Sequence, residues 1–190
     1  MTPLQTLAAW LAEAESAGLS EPSAMALATV SPEGAPSVRI VLCRGVDARG
    51  VRFFTNYDSR KAHELDATGR AAAVFHWASL GRQVRIEGRV ERATAAESDA
   101  YFEARPRGHQ LAGAVSPQSR PIESLDALRA EYLSLEARLA GAPVPRPAGW
   151  GGYWLLADRV EVWKAGADRM HDRIAYERRG SEWAGVRLAP

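Results

Sequence analysis

Cysteine is almost absent. Cys43 stands alone among 190 residues, which excludes an intramolecular disulfide and any thiolate metal cluster. Lysine is scarce as well: of 24 Lys+Arg, only Lys61 and Lys164 are lysine. Neither sign of charge dominates. The 24 cations face 23 Asp+Glu, a net charge of +1, without the strong basic excess of a generic nucleic-acid binder. No apolar run reaches the roughly 18 residues of a membrane span. The N-terminus lacks a basic segment followed by an apolar core, the mark of a secretory signal. A cytoplasmic protein with no membrane and no nucleic-acid partner is the expectation.

Familiar catalytic motifs are missing too. No G-x-G-x-x-G follows a strand and no G-x-x-x-x-G-K-S/T is present, which argues against a Rossmann site and a P-loop. The four histidines, His63, His76, His109 and His171, show no H-E-x-x-H or Cys/His spacing, so no metal site is expected. There is no G-x-S-x-G nucleophile elbow. Any chemistry must rest on Arg, Lys, Gln, Ser, Tyr and His.

The composition that remains is that of a globular protein, with 46% hydrophobic and 25% charged residues. The length suits one domain spanning 1–190 with a real core. Arg in place of Lys, together with abundant Ala, is what a GC-rich genome produces. That drift accounts for most of the arginines but not for those that recur beside Gln, Ser, His and aromatics.

Residues 3–17 put Leu4, Leu7, Leu11 and Ala14 on one face and stop at Gly18, an amphipathic helix. Met25 to Val30 and Ser37 to Leu42 read as a hairpin around the turn cluster 31–36. Val51 to Thr55 is a strand, after which Asp58 or Ser59 caps a helix to about Thr68. Ala71–Trp77 and Gln83–Arg92 are strands. The second alternates Val84, Ile86, Gly88 and Val90 against Arg85, Glu87, Arg89 and Glu91. Thr94 to Glu97 is a capping box that opens a helix through about Ala104. The stretch 104–122 reads as a long loop. Ser124–Leu139 is a helix with Leu125, Leu128, Tyr132, Leu135 and Leu139 on its apolar stripe. A helical insertion thus covers about 94–140. Strands return at Gly152–Leu156, Arg159–Trp163, Ile174–Arg178 and Trp183–Leu188. Hairpin-linked strands with inserted helices point to an antiparallel barrel rather than a βαβ sheet.

Four clusters carry candidate chemistry. Arg39 and Arg44 bracket four apolar residues on one strand. They are strand-end charges in solvent unless each guanidinium meets an anion. Arg60 and Lys61 open a helix, against the acidic preference of a first turn. They are either exposed side chains or partners of one phosphate. Tyr101 and Arg105 share a helix face ahead of the polar stretch containing Gln110, Ser116, Gln118 and Ser119. Long loops of this kind are often functional. Arg169, His171 and Arg173 alternate onto one face of a strand, where three adjacent cations repel unless a ligand sits among them. Phosphate-directed cations without a metal, a nucleophile or a nucleotide loop suit a phosphorylated cofactor that carries the hard chemistry.

In order and spacing these segments resemble the pyridoxine/pyridoxamine 5′-phosphate oxidase family, FMN-dependent split-barrel enzymes of vitamin B6 metabolism. The resemblance runs from about Pro3 to Pro190. It is carried by RIVL (39–42), TNYDSRKAHEL (55–65), RQVRIEG (82–88), YFEARPR (101–107), VSPQS (115–119), WGGY (150–153), VEVW (160–163) and RMHDR (169–173). It implies a mainly β fold with α insertions, an antiparallel split β-barrel, and a homodimer with FMN at the subunit interface. It implies that Arg39, Arg60 and Lys61 hold the FMN phosphate, along with residues around Phe54 and Thr55, and that Ile40, Val41 and Leu42 also bind the cofactor. Gln83, Gln118, Ser119, Trp163 and Arg173 would contact the flavin, some of them from the partner subunit. The substrate phosphate would meet Arg44, Tyr101, Arg105 and His109. Arg169 and His171 would pack on the pyridine ring as the catalytic pair. The implied reaction takes hydride from pyridoxamine or pyridoxine 5′-phosphate to FMN and gives pyridoxal 5′-phosphate, with dioxygen reduced to hydrogen peroxide.

Three departures from the family pattern fall on the substrate side. Arg44 stands where a lysine is usual, and His109 stands where a small serine is usual. The N-terminal extension that closes over the substrate in longer members is also absent. Alternative readings are a related FMN oxidase of phenazine biosynthesis and a non-catalytic flavin- or B6-binding protein.

Overall fold

A computed structural model describes residues 1–190. The chain runs α1 (Pro3–Ser16), β1 (Ala24–Val30), β2 (Pro36–Leu42), β3 (Gly50–Asn56), α2 (Arg60–Thr68), β4 (Arg70–Trp77) and β5 (Arg82–Arg92). The helices α3 (Ala95–Glu103), α4 (Arg107–Val115) and α5 (Leu125–Leu139) follow, and then β6 (Trp150–Lys164), β7 (Asp172–Arg179) and β8 (Glu182–Leu188).

All eight strands belong to one antiparallel sheet in the order β2-β1-β4-β5-β6-β7-β8, with β3 on β6. The ring closes just past β2: Arg44 N donates to Arg52 O at 2.7 Å, and Arg52 N to Gly45 O at 2.8 Å. The opening of the barrel is set by β6. Its first half, Trp150–Leu156, pairs with β3, and its last part, Arg159–Lys164, pairs with β7 instead. β5 lines its other edge from Tyr153 to Lys164 and so spans both halves. β7 and β8 thus stand outside the ring, which makes the architecture a split barrel.

The two strands expected at 152–156 and 159–163 are one continuous strand. The gap between them holds a β-bulge: the register shifts between Glu87 and Gly88, leaving Asp158 without a partner. A bulge bends the strand and increases its twist. It also crowds the backbone. A Cβ on Gly88 would lie 1.8 Å from Leu156 O, and one on Gly50 1.9 Å from Leu155 O. Only glycine allows β5 and β3 to approach β6 this closely.

The interior is filled by the inward residues of the ring and plugged by α1. A capping box between Thr2 and Gln5 starts that helix. Leu4, Leu7, Trp10 and Ala14 bury its face against Met25, Leu27, Phe53, Phe75 and Trp77. Burying each large side chain contributes about 1.5–3 kcal/mol, and at the rim of the plug Glu13 pairs with Arg82, whose guanidinium also lies over the Trp10 ring. A smaller cluster, Phe102, Leu111, Val144 and Trp150, sits under α3, α4 and α5.

The helical insertion differs from expectation in two ways. Residues 107–115, expected to be loop, form α4. Their apolar signal is weak because the helix buries only Leu111 fully. α5 exists, but none of its residues is fully buried and Leu125 is 57% exposed. Only its later stripe residues, Tyr132, Leu135 and Leu139, pack on the small cluster.

Gly88→Ala is expected to lower unfolding free energy by about 1–3 kcal/mol, because the added methyl cannot be accommodated without moving backbone. A thermal or urea melt identical to that of the parent protein would show that the bulge tolerates a side chain.

Candidate functional site

One cavity of about 900 Å³ opens between the end of β2, the start of α2 and the turn between α3 and α4. Its walls include fourteen of the residues singled out in the sequence: Arg39, Ile40, Val41, Leu42, Arg44, Phe54, Thr55, Arg60, Lys61, Tyr101, Arg105, His109, Gln118 and Ser119. Ala104, Pro106 and Trp150 complete it. Residues more than 100 positions apart in the chain are brought together because β3 pairs with β6 and α3 packs on β6.

One end is built around Lys61. Its side chain turns back from the helix start into the barrel wall, leaving the residue 8% exposed. Nζ donates to Thr55 Oγ1 at 2.9 Å, Gln118 Oε1 at 2.8 Å and Ser59 Oγ at 3.2 Å. Ser59 occupies the N-cap position but makes no cap bond to the helix, because its hydroxyl serves the lysine. None of the three partners is an anion. Burial, with Arg39 nearby, lowers the Lys61 pKa to about 8, and Glu64 only partly opposes this.

Glu64 organises the cations beside it. Its carboxylate is 5% exposed. It accepts from Thr29 Oγ1, from Ser37 Oγ at 2.7 Å, from Arg39 Nη2 at 3.2 Å and from Arg60 Nε at 2.8 Å. Burial alone would raise its pKa, but these donors together hold it at about 2. Arg39 is fixed further by Ser37 Oγ, Thr29 Oγ1 and the carbonyl of Leu27. The buried anion that Arg39 required is therefore partly supplied from within. Ile40, by contrast, points outward and is 65% exposed.

The other end is aromatic and cationic. Phe54 stacks on Tyr101 at 4.0 Å and on Trp150 at 5.5 Å between ring centroids. Gly152 makes this possible, since a Cβ there would meet the Phe54 ring at 2.8 Å. The Arg105 guanidinium lies 4.8 Å from the Trp150 ring centroid. Its Nη1 is buried without a hydrogen-bond partner, and burial followed by the charge of Arg44 pushes its pKa down, with Tyr101 opposing. A Cβ on Gly113 would come within 2.9 Å of that nitrogen, so this glycine makes room for the guanidinium. Arg44 has no carboxylate partner, and its carbonyl accepts from Arg52 Nη2 at 3.4 Å. A buried donor without a partner is costly until an acceptor arrives, whereas the exposed Arg44 guanidinium is free to turn toward an anion. Arg39 and Arg44 are five positions apart, about 16 Å of extended chain, so the two ends make separate anion sites.

Five singled-out residues do not line this cavity: Gln83, Trp163, Arg169, His171 and Arg173. They gather at the far end of β6. Gln83, Trp163 and Arg173 are in register across β5, β6 and β7 and so share one face. The expected alternation of Arg169, His171 and Arg173 along one strand is not found. β7 begins only at Asp172, and Asp168 and Arg169 adopt positive φ, +51° and +63°. Arg169 and His171 therefore sit in a tight turn. There the His171 ring lies 4.7 Å from that of Trp163, and its Nδ1 accepts from Gly166 N at 3.2 Å.

Four contributors were not singled out in the sequence. Glu64 could have been found from its i,i+4 spacing to Arg60. Ser59 stands in the sequence only as a helix-cap candidate and Trp150 only as the first residue of WGGY, and Gly113 carries no local signal, because their roles at the site exist only after distant segments meet.

Comparison with known proteins decides the family. Residues 11–138 match the family model described as pyridoxamine 5′-phosphate oxidase. The chain belongs to the pyridoxamine 5′-phosphate oxidase family. Residues 150–190 match the pyridoxine 5′-phosphate oxidase C-terminal dimerisation region. The chain is 49% identical over 188 residues to a pyridoxine/pyridoxamine 5′-phosphate oxidase of Rubrobacter xylanophilus, covering 99% of this chain and 87% of that one. A protein of the same name from Thermosynechococcus vestitus is 50% identical over 188 residues, covering 99% and 89%. Among solved structures, PhzG from Burkholderia lata 383, in complex with tetrahydrophenazine-1-carboxylic acid, superposes with a TM-score of 0.94. It is 37% identical, with 99% of this chain and 92% of that one covered. Its fold agreement extends to this family member's split barrel as a whole.

The sign of the Lys61 effect on the ligand-free protein follows from its lowered pKa. The unfolded chain, with a lysine pKa near 10.4, binds more protons between about pH 8 and 10.4. Stability therefore rises with pH across that window, by on the order of 1–2 kcal/mol from this group. Urea unfolding at pH 7.5 and 9.5 should show the rise in the parent and lose that component in Lys61→Gln. Identical pH dependence in both would exclude a titrating, desolvated Lys61.

Proposed function

We propose that the chain is an FMN-dependent oxidase. It converts pyridoxamine or pyridoxine 5′-phosphate to pyridoxal 5′-phosphate, with dioxygen as electron acceptor. The observation that carries this is one cavity with a cation lacking an anionic hydrogen-bond partner at each end, Lys61 held only by neutral acceptors and Arg105 with a buried nitrogen that has no partner. Two sites suit two phosphates, one on the cofactor and one on the substrate. The names of the relatives at 49% and 50% identity support the same reaction.

The residues fit FMN without rearranging the cations. Arg39, Arg60 and Lys61 would hold its phosphate, with Thr55 beside them and Arg60 fixed by Glu64. The neutral acceptors around Lys61, above all Gln118 Oε1, stand where a phosphate oxygen would improve on them. The backbone of Ile40, Val41 and Leu42 and the ring of Phe54 would flank the cofactor. When bound, FMN supplies the hydride acceptor and passes the electrons to dioxygen, which leaves as hydrogen peroxide.

Arg44, Tyr101, Arg105 and His109 would receive the substrate phosphate and exclude water around it. Arg169 and His171 would orient the pyridine ring. The Gly166 amide occupies His171 Nδ1 and leaves Nε2 to face the substrate. These two residues, with Gln83, Trp163 and Arg173, would come from a second copy of the chain. β6 spans 15 residues, about 50 Å of strand, and the two residue groups sit at its opposite ends. A homodimer with FMN at the interface brings one end of each copy to the other. The match to a dimerisation region supports it, and so do outward apolar side chains on β2 and β8, Val38 at 69%, Ile40 at 65% and Val186 at 59% exposed.

We read the chain as one domain, because β6 belongs to both the barrel and the C-terminal strands. No helix is long and apolar enough to cross a membrane, and a cytoplasmic location fits that. A second reading, an oxidase of reduced phenazine acids, is favoured by the likeness to PhzG. The lower identity of that protein, 37% against 49% and 50%, places it second.

Peroxide release should follow addition of pyridoxamine or pyridoxine 5′-phosphate to the yellow holoprotein. Release only with a reduced phenazine acid would select the second reading, and a protein that never takes up FMN would fail both. Lys61→Ala should weaken FMN binding at least about tenfold, the cost of a charge-assisted bond. Parent affinity should fall as pH rises through 8, where Lys61 loses its charge. An affinity flat in pH and unchanged in Lys61→Ala would remove this residue from the phosphate site. Arg169→Ala should lower kcat by about tenfold or more while FMN is retained. Loss of FMN instead would mean that its role is misassigned.

A further inference from the structure

Glu161 lies on β6 and points to the face of the sheet away from the barrel interior, since its neighbours Val160 and Val162 belong with the core. Its side chain is nevertheless only 5% exposed. A buried carboxylate is costly unless cations meet it, and two do. Arg173 Nε donates to Oε1 at 3.0 Å, and Arg85 Nη1 donates to Oε2 at 3.4 Å. The phosphate cavity does not use this group.

Sheet register explains the contact. Glu161 stands opposite Arg85 on β5 and Ala175 on β7. The small side chain of Ala175 leaves space for Arg173, one row along, to reach across. Arg173 itself stands in the row of Trp163 and Gln83. Its guanidinium is gripped on two sides, Nε by Glu161 and Nη1 by the carbonyl of Ala189 at 3.0 Å. Nη2 makes no hydrogen bond within the chain. Arginine presents its donors in a rigid planar fork, so fixing two nitrogens fixes the direction of the third.

We propose that Glu161 is a positioning residue that locks the Arg173 guanidinium so that its free edge lies beside Gln83 and Trp163, aimed at the acceptor atoms of the flavin ring. This rests on the reading of Arg173 as a flavin contact. Arg85 is the second clamp. It balances the other carboxylate oxygen, so Glu161 does not swing toward solvent.

A plain structural ion pair changes stability, whereas a positioning residue changes flavin affinity, and only through Arg173. The test is a double-mutant cycle on FMN dissociation constants, from flavin fluorescence of the dimer, with Glu161→Gln, Arg173→Ala and the double variant. Melting temperature and mass are followed in parallel. Glu161→Gln should weaken FMN about tenfold, and the double variant should be no weaker than Arg173→Ala alone. Unchanged affinity in Glu161→Gln, or losses that add in the double variant, would overturn the role of Glu161 while leaving Arg173 a flavin contact. Unchanged affinity in Arg173→Ala would overturn both. Should Glu161→Gln not fold, Glu161→Asp keeps the charge but falls one methylene short, and the same cycle applies with the same outcomes.

Discussion

The continuous hydrogen bonding of β6 is the constraint on which the site depends. One 15-residue strand is paired with β5 from Tyr153 to Lys164 on one edge and shared between two partners on the other. Its first residue, Trp150, floors the phosphate cavity, and near its last residues Trp163 heads the row that includes Gln83 and Arg173. A strand this long can remain in a small barrel only if it bends. The bulge at Asp158, opposite a glycine, supplies the bend. Without it the strand would run straight out of the ring, and the two ends would lose their fixed relation to β3 and β7.

Electrostatics at the two ends of the cavity follow different designs. At the Lys61 end a buried carboxylate, Glu64, gathers two arginines and two hydroxyls, so the cations are held in place before any ligand arrives. At the Arg105 end no carboxylate is provided, and the guanidinium rests on aromatic faces instead. The first arrangement suits a resident cofactor, because preorganised cations lose little entropy on binding. The second suits a ligand that comes and goes, because an unpaired cation gains most from an anion and keeps no competing one. The cost in each case is desolvation, visible as the lowered pKa values of Lys61 and Arg105.

The departures at Arg44 and His109 fall at the second end, where fewer contacts fix the geometry. Arg44 is exposed and held mainly through its backbone, by Arg52 and the closure of the ring. A change from a point charge to a fork can therefore be absorbed by the side chain without disturbing the barrel. The Lys61 end has less slack, since Lys61 and Glu64 are buried and bonded to side chains from β1, β2, β3 and the segment around Gln118.

Much of the fold was legible in the sequence. Period-two alternation in 82–92, the capping box at Thr94 and the turn cluster at 31–36 are local signals, and each element lies where they put it. Fourteen of the seventeen cavity residues were named, from the polar and cationic clusters and from the family motifs in their order along the chain. The sequence by itself determined the hairpins, the helix starts and the kinds of side chain available, because those depend on neighbours within a few positions. Only the tertiary structure decided that 150–164 is one strand, that 107–115 is a helix with a single buried leucine, and that Arg169 leaves the strand for a turn. It alone joined Ser59 to Lys61, made Gly113 the space for Arg105, and set Glu161 against Arg173. These are consequences of register and close approach between segments far apart in the chain. No local pattern encodes a distance that arises only when two distant strands pair.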